Sequence, residues 1–155
     1  MSTFVKGGSV STPFGRNEYL RSTQDVKVES YTVAAASVPA RTIDGNAGQK
    51  ILQPGTVMAK ITSGGDAGKI GPYSSDTVGV TDGRSVLTNI VGLNDTFLPW
   101  QLIERDVEIG VVYQATAVQA WCFMYTLAGA AVPVALDNTT ADAMRGGKKL
   151  QINFS

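Results

Sequence analysis

The chain has 155 residues, enough for one domain with its own core, and its 13 cations balance its 13 carboxylates. It has no histidine and a single cysteine, Cys122, which excludes Ser-His-Asp and Cys-His catalysis, histidine-ligated metals and an internal disulfide. The cations form no basic stripe for nucleic acid, and neither a signal core nor an apolar run of about 18 residues points to a membrane. A soluble, non-enzymatic protein without cofactor, made in the cytoplasm, is the expectation. Charged residues make up 17% of the chain, below the roughly 25% of ordinary soluble domains, which fits a surface hidden against partners.

Residues 1–24 do not read as a folded element. Gly7, Gly8, Pro13 and Gly15 interrupt them, and Phe4, Val5, Phe14, Tyr19 and Leu20 follow neither helical nor strand period. Lys6, Arg16 and Arg21 outnumber Glu18, so the segment is basic while the remainder is acidic. It reads either as a fraying chain end or as an extended arm that orders on a partner. Stretched out, such an arm reaches roughly 80 Å, with the isolated aromatics as anchors.

From Asp25 the pattern is β, and residues 25–155 read as a single β-rich domain. Val26 and Val28 alternate with Lys27 and Glu29, and Tyr31 to Val33 continue the run. Asp44-Gly45-Asn46 and Pro54-Gly55 are turn signals. The second launches a strand over 56–62, with Val57, Ala59 and Ile61 on one face and Met58 and Lys60 on the other. Residues 63–84 form a long glycine-rich loop, expected to be functional or held by a neighbour. A buried strand is expected over 85–93, around Val86, Leu87, Ile90 and Val91, then an irregular link from Asn94 to Trp100.

Residues 104–114 alternate, with Arg105, Val107, Ile109, Val111 and Tyr113 on one side. Residues 116–126 read as a second long strand carrying Trp121, Phe123 and Tyr125, apolar on both faces and therefore central. Ala115-Thr116 between the two suggests an antiparallel hairpin, without the Asn-Gly signature. A short strand over 132–136, a loop or weak helical turn over 137–147, and a final segment 149–154 complete the chain. The class expected is mainly β: a small β-barrel or β-tulip-like domain with minor helix and an extended N-terminal arm.

Two constellations invite a chemical reading. Gly64-Gly65-Asp66-Ala67-Gly68-Lys69-Ile70 resembles a phosphate loop, but its first glycine is one position too close and Ile70 replaces the hydroxyl that would hold magnesium. Glu104, Asp106 and Glu108 on one strand face would stand about 6.5–7 Å apart in successive pairs, a spacing open to acid–base work or a cation. A solvated or partner-facing strand face accounts for them more simply. Cys122 reads as a small buried hydrophobe.

Several fragments in order resemble a known family: Leu52-Gln-Pro-Gly-Thr-Val-Met-Ala-Lys-Ile-Thr62, Gly68-Lys-Ile-Gly-Pro-Tyr73, Asp82-Gly-Arg84, Asn89-Ile-Val-Gly-Leu93 and Arg105-Asp-Val-Glu-Ile-Gly-Val-Val112. Together they look like the head-decoration proteins of tailed bacteriophages, the group of the phage lambda head protein D. Met58-Ala59 stands where that family has Leu-Gly, and the chain after Thr126 has no counterpart in it. The resemblance implies a virion protein on the outer surface of the expanded head, a homotrimer at quasi-threefold sites. It would bind the major capsid protein and stabilise the shell against internal pressure. It also implies that the N-terminal arm adds a strand to a coat-protein sheet, with Phe4, Phe14, Arg16, Tyr19, Leu20 and Arg21 as the coat-binding candidates. Other readings are a β-type tail or fibre-base module, a carbohydrate-binding β domain, or an enzyme working through Asp and Glu alone.

Overall fold

The computed structural model describes residues 19–22, 25–126, 133–146 and 149–155. Phe4, Phe14 and Arg16 therefore lie outside the described residues. The strands are β1 (Lys27–Val33), β2 (Arg41–Ile43), β3 (Asn46–Gln49), β4 (Val57–Lys60), β5 (Ile70–Pro72), β6 (Ile90–Asn94), β7 (Val107–Ala117), β8 (Phe123–Met124), β9 (Val134–Ala135) and β10 (Gln151–Phe154). Two short α-helices, α1 (Gln101–Glu104) and α2 (Asn138–Arg145), and three 3-10 turns join them. The protein is mainly β, as its sequence leads one to expect.

The main sheet runs β1-β5-β4-β6-β7-β10, and β1 also pairs antiparallel with β7. That pairing closes β1, β5, β4, β6 and β7 into a ring. Every strand of the ring sends apolar side chains into one cluster: Tyr31 and Val33, Ile70, Met58, Val91, then Val107, Ile109 and Val111. Val38, Leu52, Leu98 and Leu102 complete this inner core. A second core lies on the opposite face of β4, β6 and β7. There Val57, Ala59, Leu93, Val112, Ala115 and Ala117 meet Ile152 of β10, Ala141 and Met144 of α2, and Tyr19, Cys122, Met124 and Leu136.

One strand serves both cores through a change of phase. Lys27 pairs with Gln114 and Val28 with Val112, so Tyr113 has no opposite residue and forms a bulge. An extra residue reverses which side chains face which way beyond it. Ile109 and Val111 fill the inner core, with Val112 on the other face by simple alternation, whereas beyond the bulge the odd-numbered Ala115 and Ala117 face the outer core. The bulged Tyr113 ring lies under the Lys149 ammonium, 5.3 Å from it, and Lys149 is also ion-paired with Glu29 on β1.

Several expectations need correcting. The expected loop over 63–84 contains β5, which pairs with β4 and through Ile70 with β1. Val86 is exposed and Leu87–Asn89 is a 3-10 turn, so the strand expected over 85–93 is confined to β6. The expected hairpin at Ala115-Thr116 does not form: β7 continues through both residues, because β10 pairs in parallel with Gln114 to Ala117. The chain then turns at Gln119–Trp121, and Trp121 is 53% exposed, not central. Residues 138–145 form a two-turn helix. The Asp137 carboxylate accepts from the Thr140 amide at 2.8 Å and caps it. The turn at Asp44-Gly45 is present, with φ of 51° and 81°, the paired left-handed geometry that a two-residue hairpin demands.

Candidate docking surface at the root of the N-terminal segment

Tyr19, Leu20 and Arg21, expected in the arm as coat-binding groups, belong to the body. Tyr19 is 2% exposed in the outer core. Its hydroxyl donates to Asp95 Oδ1 at 2.6 Å, and its carbonyl accepts from the Val118 amide at 2.7 Å. Leu20 bridges antiparallel to Ala117, and the Arg21 amide donates to the Thr116 carbonyl at 2.9 Å. The Arg21 side chain donates from Nε to Ser155 Oγ at 2.6 Å. The cause is plain: the free side of β7 beyond its pairing with β1 offers backbone partners, and an apolar hollow over Gly55 takes the tyrosine ring. Burial, followed by the hydrogen bond to Asp95, pushes the Tyr19 phenol well above the ordinary tyrosine range.

The hollow is built by the Pro54-Gly55 turn. The Gly55 amide donates to the Asn94 carbonyl at 2.8 Å, and the Phe123 amide donates to the Gly55 carbonyl at 3.0 Å. Asn94 is fully buried, and its side-chain amide donates to the Gln53 and Thr96 carbonyls. A Cβ on Gly55 would stand 3.0 Å from both the Tyr19 Cβ and the Trp121 carbonyl oxygen. The turn, the root and the Trp121 corner are thus in direct contact.

Around this corner the surface is apolar. Trp121 and Val134 are 53% and 39% exposed, Ala120 and Ala135 are exposed, and β9 packs beside the Gln119–Trp121 turn. The Gln119 side chain holds the corner by donating to the Leu136 carbonyl at 3.1 Å. Cys122 beside it is fully buried, and burial pushes its thiol up to about 12, far from any nucleophilic range.

The two chemical constellations resolve into scaffold contacts. The glycine-rich segment runs into β5 rather than a helix, and Lys69 pairs with Asp66 at 2.9 Å and Asp106 at 2.5 Å. Asp106 also accepts from the Ala35 amide at 2.8 Å; the Lys69 contact first, then this one, holds its carboxyl below the ordinary aspartate range. Glu104 ends α1 and Glu108 is exposed on β7, so the three carboxylates do not share one strand face. No cluster of three metal-ligating side chains occurs among the described residues. The Asp82-Gly83-Arg84 fragment is a clamp: Arg84 pairs with Asp82 at 2.9 Å and donates to the Ser37 carbonyl at 3.0 Å.

Fold and surface together define a small mainly β domain with a firmly seated segment at residues 19–22. No family model, curated protein or solved structure matches the chain.

Proposed function

We propose that the chain is a non-enzymatic virion protein that binds the outer surface of an expanded phage head, as trimers over the major capsid protein, and reinforces the shell. The ordered fragments of the sequence support this reading. One structural observation carries it: the residues before Tyr19 join the body at a seat that is bonded along its backbone, buried at its ring and tied to Asp95. Such a seat lets tension on a leading arm pass into a closed barrel instead of fraying the chain end.

The corrected boundary changes the energetics. With Tyr19 and Leu20 committed to the body, Phe4 and Phe14 are the aromatic anchors left to the arm. Each hydrogen bond of an added strand contributes about 0.5–1.5 kcal/mol, against about 1–2 kcal/mol to order each residue. Burying the two rings adds roughly 1.5–3 kcal/mol apiece. One arm is therefore a weak binder. Three arms acting together at high effective concentration, helped by a body surface, make the attachment firm.

The test is sedimentation with expanded heads of the phage whose genome carries this sequence. The full chain should pellet with the heads and protect them from thermal rupture. A chain lacking residues 2–18 should stay folded and remain in the supernatant. Equal pelleting of the two chains, or no pelleting of the full chain, rejects the proposal.

A further inference from the structure

The sequence contains two Asp-Gly pairs, Asp44-Gly45 and Asp82-Gly83, and the fold treats them in opposite ways. Such a pair carries a latent chemistry of its own. With no side chain on the glycine to obstruct it, the glycine amide nitrogen can attack the aspartyl side-chain carbon.

Asp82-Gly83 is clamped. Asp82 Oδ1 accepts from the Arg84 amide and from Arg84 Nε, both at 3.1 Å, and Oδ2 accepts from Nε at 2.9 Å. The Asp82 carbonyl accepts from the Thr62 amide at 2.8 Å, and the Gly83 carbonyl from Asn89 Nδ2 at 2.9 Å. A Cβ on Gly83 would collide with the Thr62 side chain, so the backbone there is closely packed as well.

Asp44-Gly45 has none of these restraints. Both residues are exposed at the tip of the β2–β3 hairpin, and a Cβ on Gly45 would meet nothing within 4 Å. The two strands pair only with each other, with a register shift between Arg41 and Ile43. None of residues 41–49 belongs to either core. A two-stranded hairpin holds itself together poorly, so this one opens while the barrel stays closed. Opening releases the left-handed turn and lets the Gly45 nitrogen swing towards the Asp44 carboxyl.

We infer that Asp44 is a site of spontaneous isoaspartate formation, reached by local opening of the hairpin, and that Asp82 is not. The Gly45 nitrogen bonds to Asp44 Cγ and gives up its proton, which leaves with the hydroxyl of the neutral carboxyl as water. The product is a cyclic succinimide. Water then adds to one of the two ring carbonyls and breaks its bond to nitrogen. Breakage at Cγ restores aspartate; breakage at the main-chain carbonyl carbon leaves the backbone running through Cβ and Cγ. The water lost in the first step is regained in the second, and no other reactant enters. The longer backbone no longer fits the two-residue turn. This chemistry is independent of what the protein docks onto.

The full chain, aged for weeks in neutral buffer made with heavy-oxygen water, reports both sites at once. Each passage through the ring leaves one heavy oxygen at the site. Digestion and mass spectrometry should show uptake, with the isoaspartyl fragmentation pattern, about tenfold or more higher in the Asp44 peptide than in the Asp82 peptide. In denaturant the two peptides should label at similar rates, because the fold alone separates them. Asp44→Glu should suppress uptake at the hairpin without changing that at Asp82. Equal uptake at the two sites in the native chain, or uptake at Asp44 only in denaturant, overturns the inference.

Discussion

Tyr19 gives its hydroxyl hydrogen to Asp95 at 2.6 Å, joining residues 76 positions apart at the point where the leading segment meets the barrel. The bond is part-buried, and the ring around it is fully packed. Its two components separate by mutation. Tyr19→Phe keeps the ring and leaves the carboxylate without its donor, which should cost about 1–2 kcal/mol. Tyr19→Ala empties the hollow over Gly55 and should cost about 3–5 kcal/mol. Urea unfolding of the two variants checks the ratio; equal losses would mean that packing contributes nothing.

Alkaline pH should weaken the fold in a defined direction. Burial raises the Tyr19 phenol and the Cys122 thiol, and Tyr31, Tyr73 and Tyr125 are shifted the same way, burial first. These groups keep their protons in the folded state at a pH where the unfolded chain has lost them. Their contribution is whole below the unfolded values and drains away above them, from about pH 9 for the thiol and pH 10 for the phenols. Stability measured by urea at a series of pH values should be flat near neutrality and fall steadily from there. Tyr19→Phe should make the fall shallower.

Cys122 should be silent to thiol reagents until the protein opens. It is fully buried, and its thiol is pushed up to about 12. A disulfide reagent should label it only in denaturant, with a midpoint matching global unfolding. Rapid labelling of the native chain would show that the outer core opens locally at the β8 end.

Two glycines should respond to alanine in opposite ways. Gly92 has φ of 148°, and a Cβ there would come within 2.1 Å of the Val112 carbonyl oxygen, where β6 crosses β7. Gly92→Ala should cost about 3 kcal/mol or more, or abolish folding. At Gly65 a Cβ meets nothing within 4 Å and the backbone needs no left-handed angle, so Gly65→Ala should be neutral or stabilise by up to about 1 kcal/mol. Melting curves settle both.

The Lys69 pairs should also differ. Asp106 serves Lys69 and the Ala35 amide together, while Asp66, half-buried like Asp106, meets Lys69 from three positions away in the same loop. Asp106→Ala should lower the melting temperature by more than Asp66→Ala. The depressed Asp106 carboxyl supports the fold above the ordinary aspartate value, and that support is lost as pH falls through its lowered one. The gap between the variants should therefore close in acid.

How much the sequence disclosed follows from which signals are local. Alternation exposed β1 and β4 and most of β7, and Asp44-Gly45 announced its turn. Ile70-Gly71-Pro72 looked like loop because glycine and proline mask a strand; it forms one because Tyr73, not Pro72, donates to the Val57 carbonyl of β4. The phase change at Tyr113 was invisible, since it is defined by the register against β1. The same non-local cause misplaced Trp121: only the distant β10 shows that β7 runs on to Ala117 and that the chain must turn before Trp121. At the candidate site, Tyr19-Leu20 was grouped with the preceding aromatics because two residues carry no period. Its partner Asp95 gave no signal at all.

Arg21 and Ser155, 134 positions apart, share a hydrogen bond of 2.6 Å beside the end of β7. A peptide fused after Ser155 would therefore emerge beside Arg21 and crowd the seat of residues 19–22. A cargo joined instead at the Asp44-Gly45 tip of the β2–β3 hairpin, whose residues are largely exposed, would leave that corner untouched.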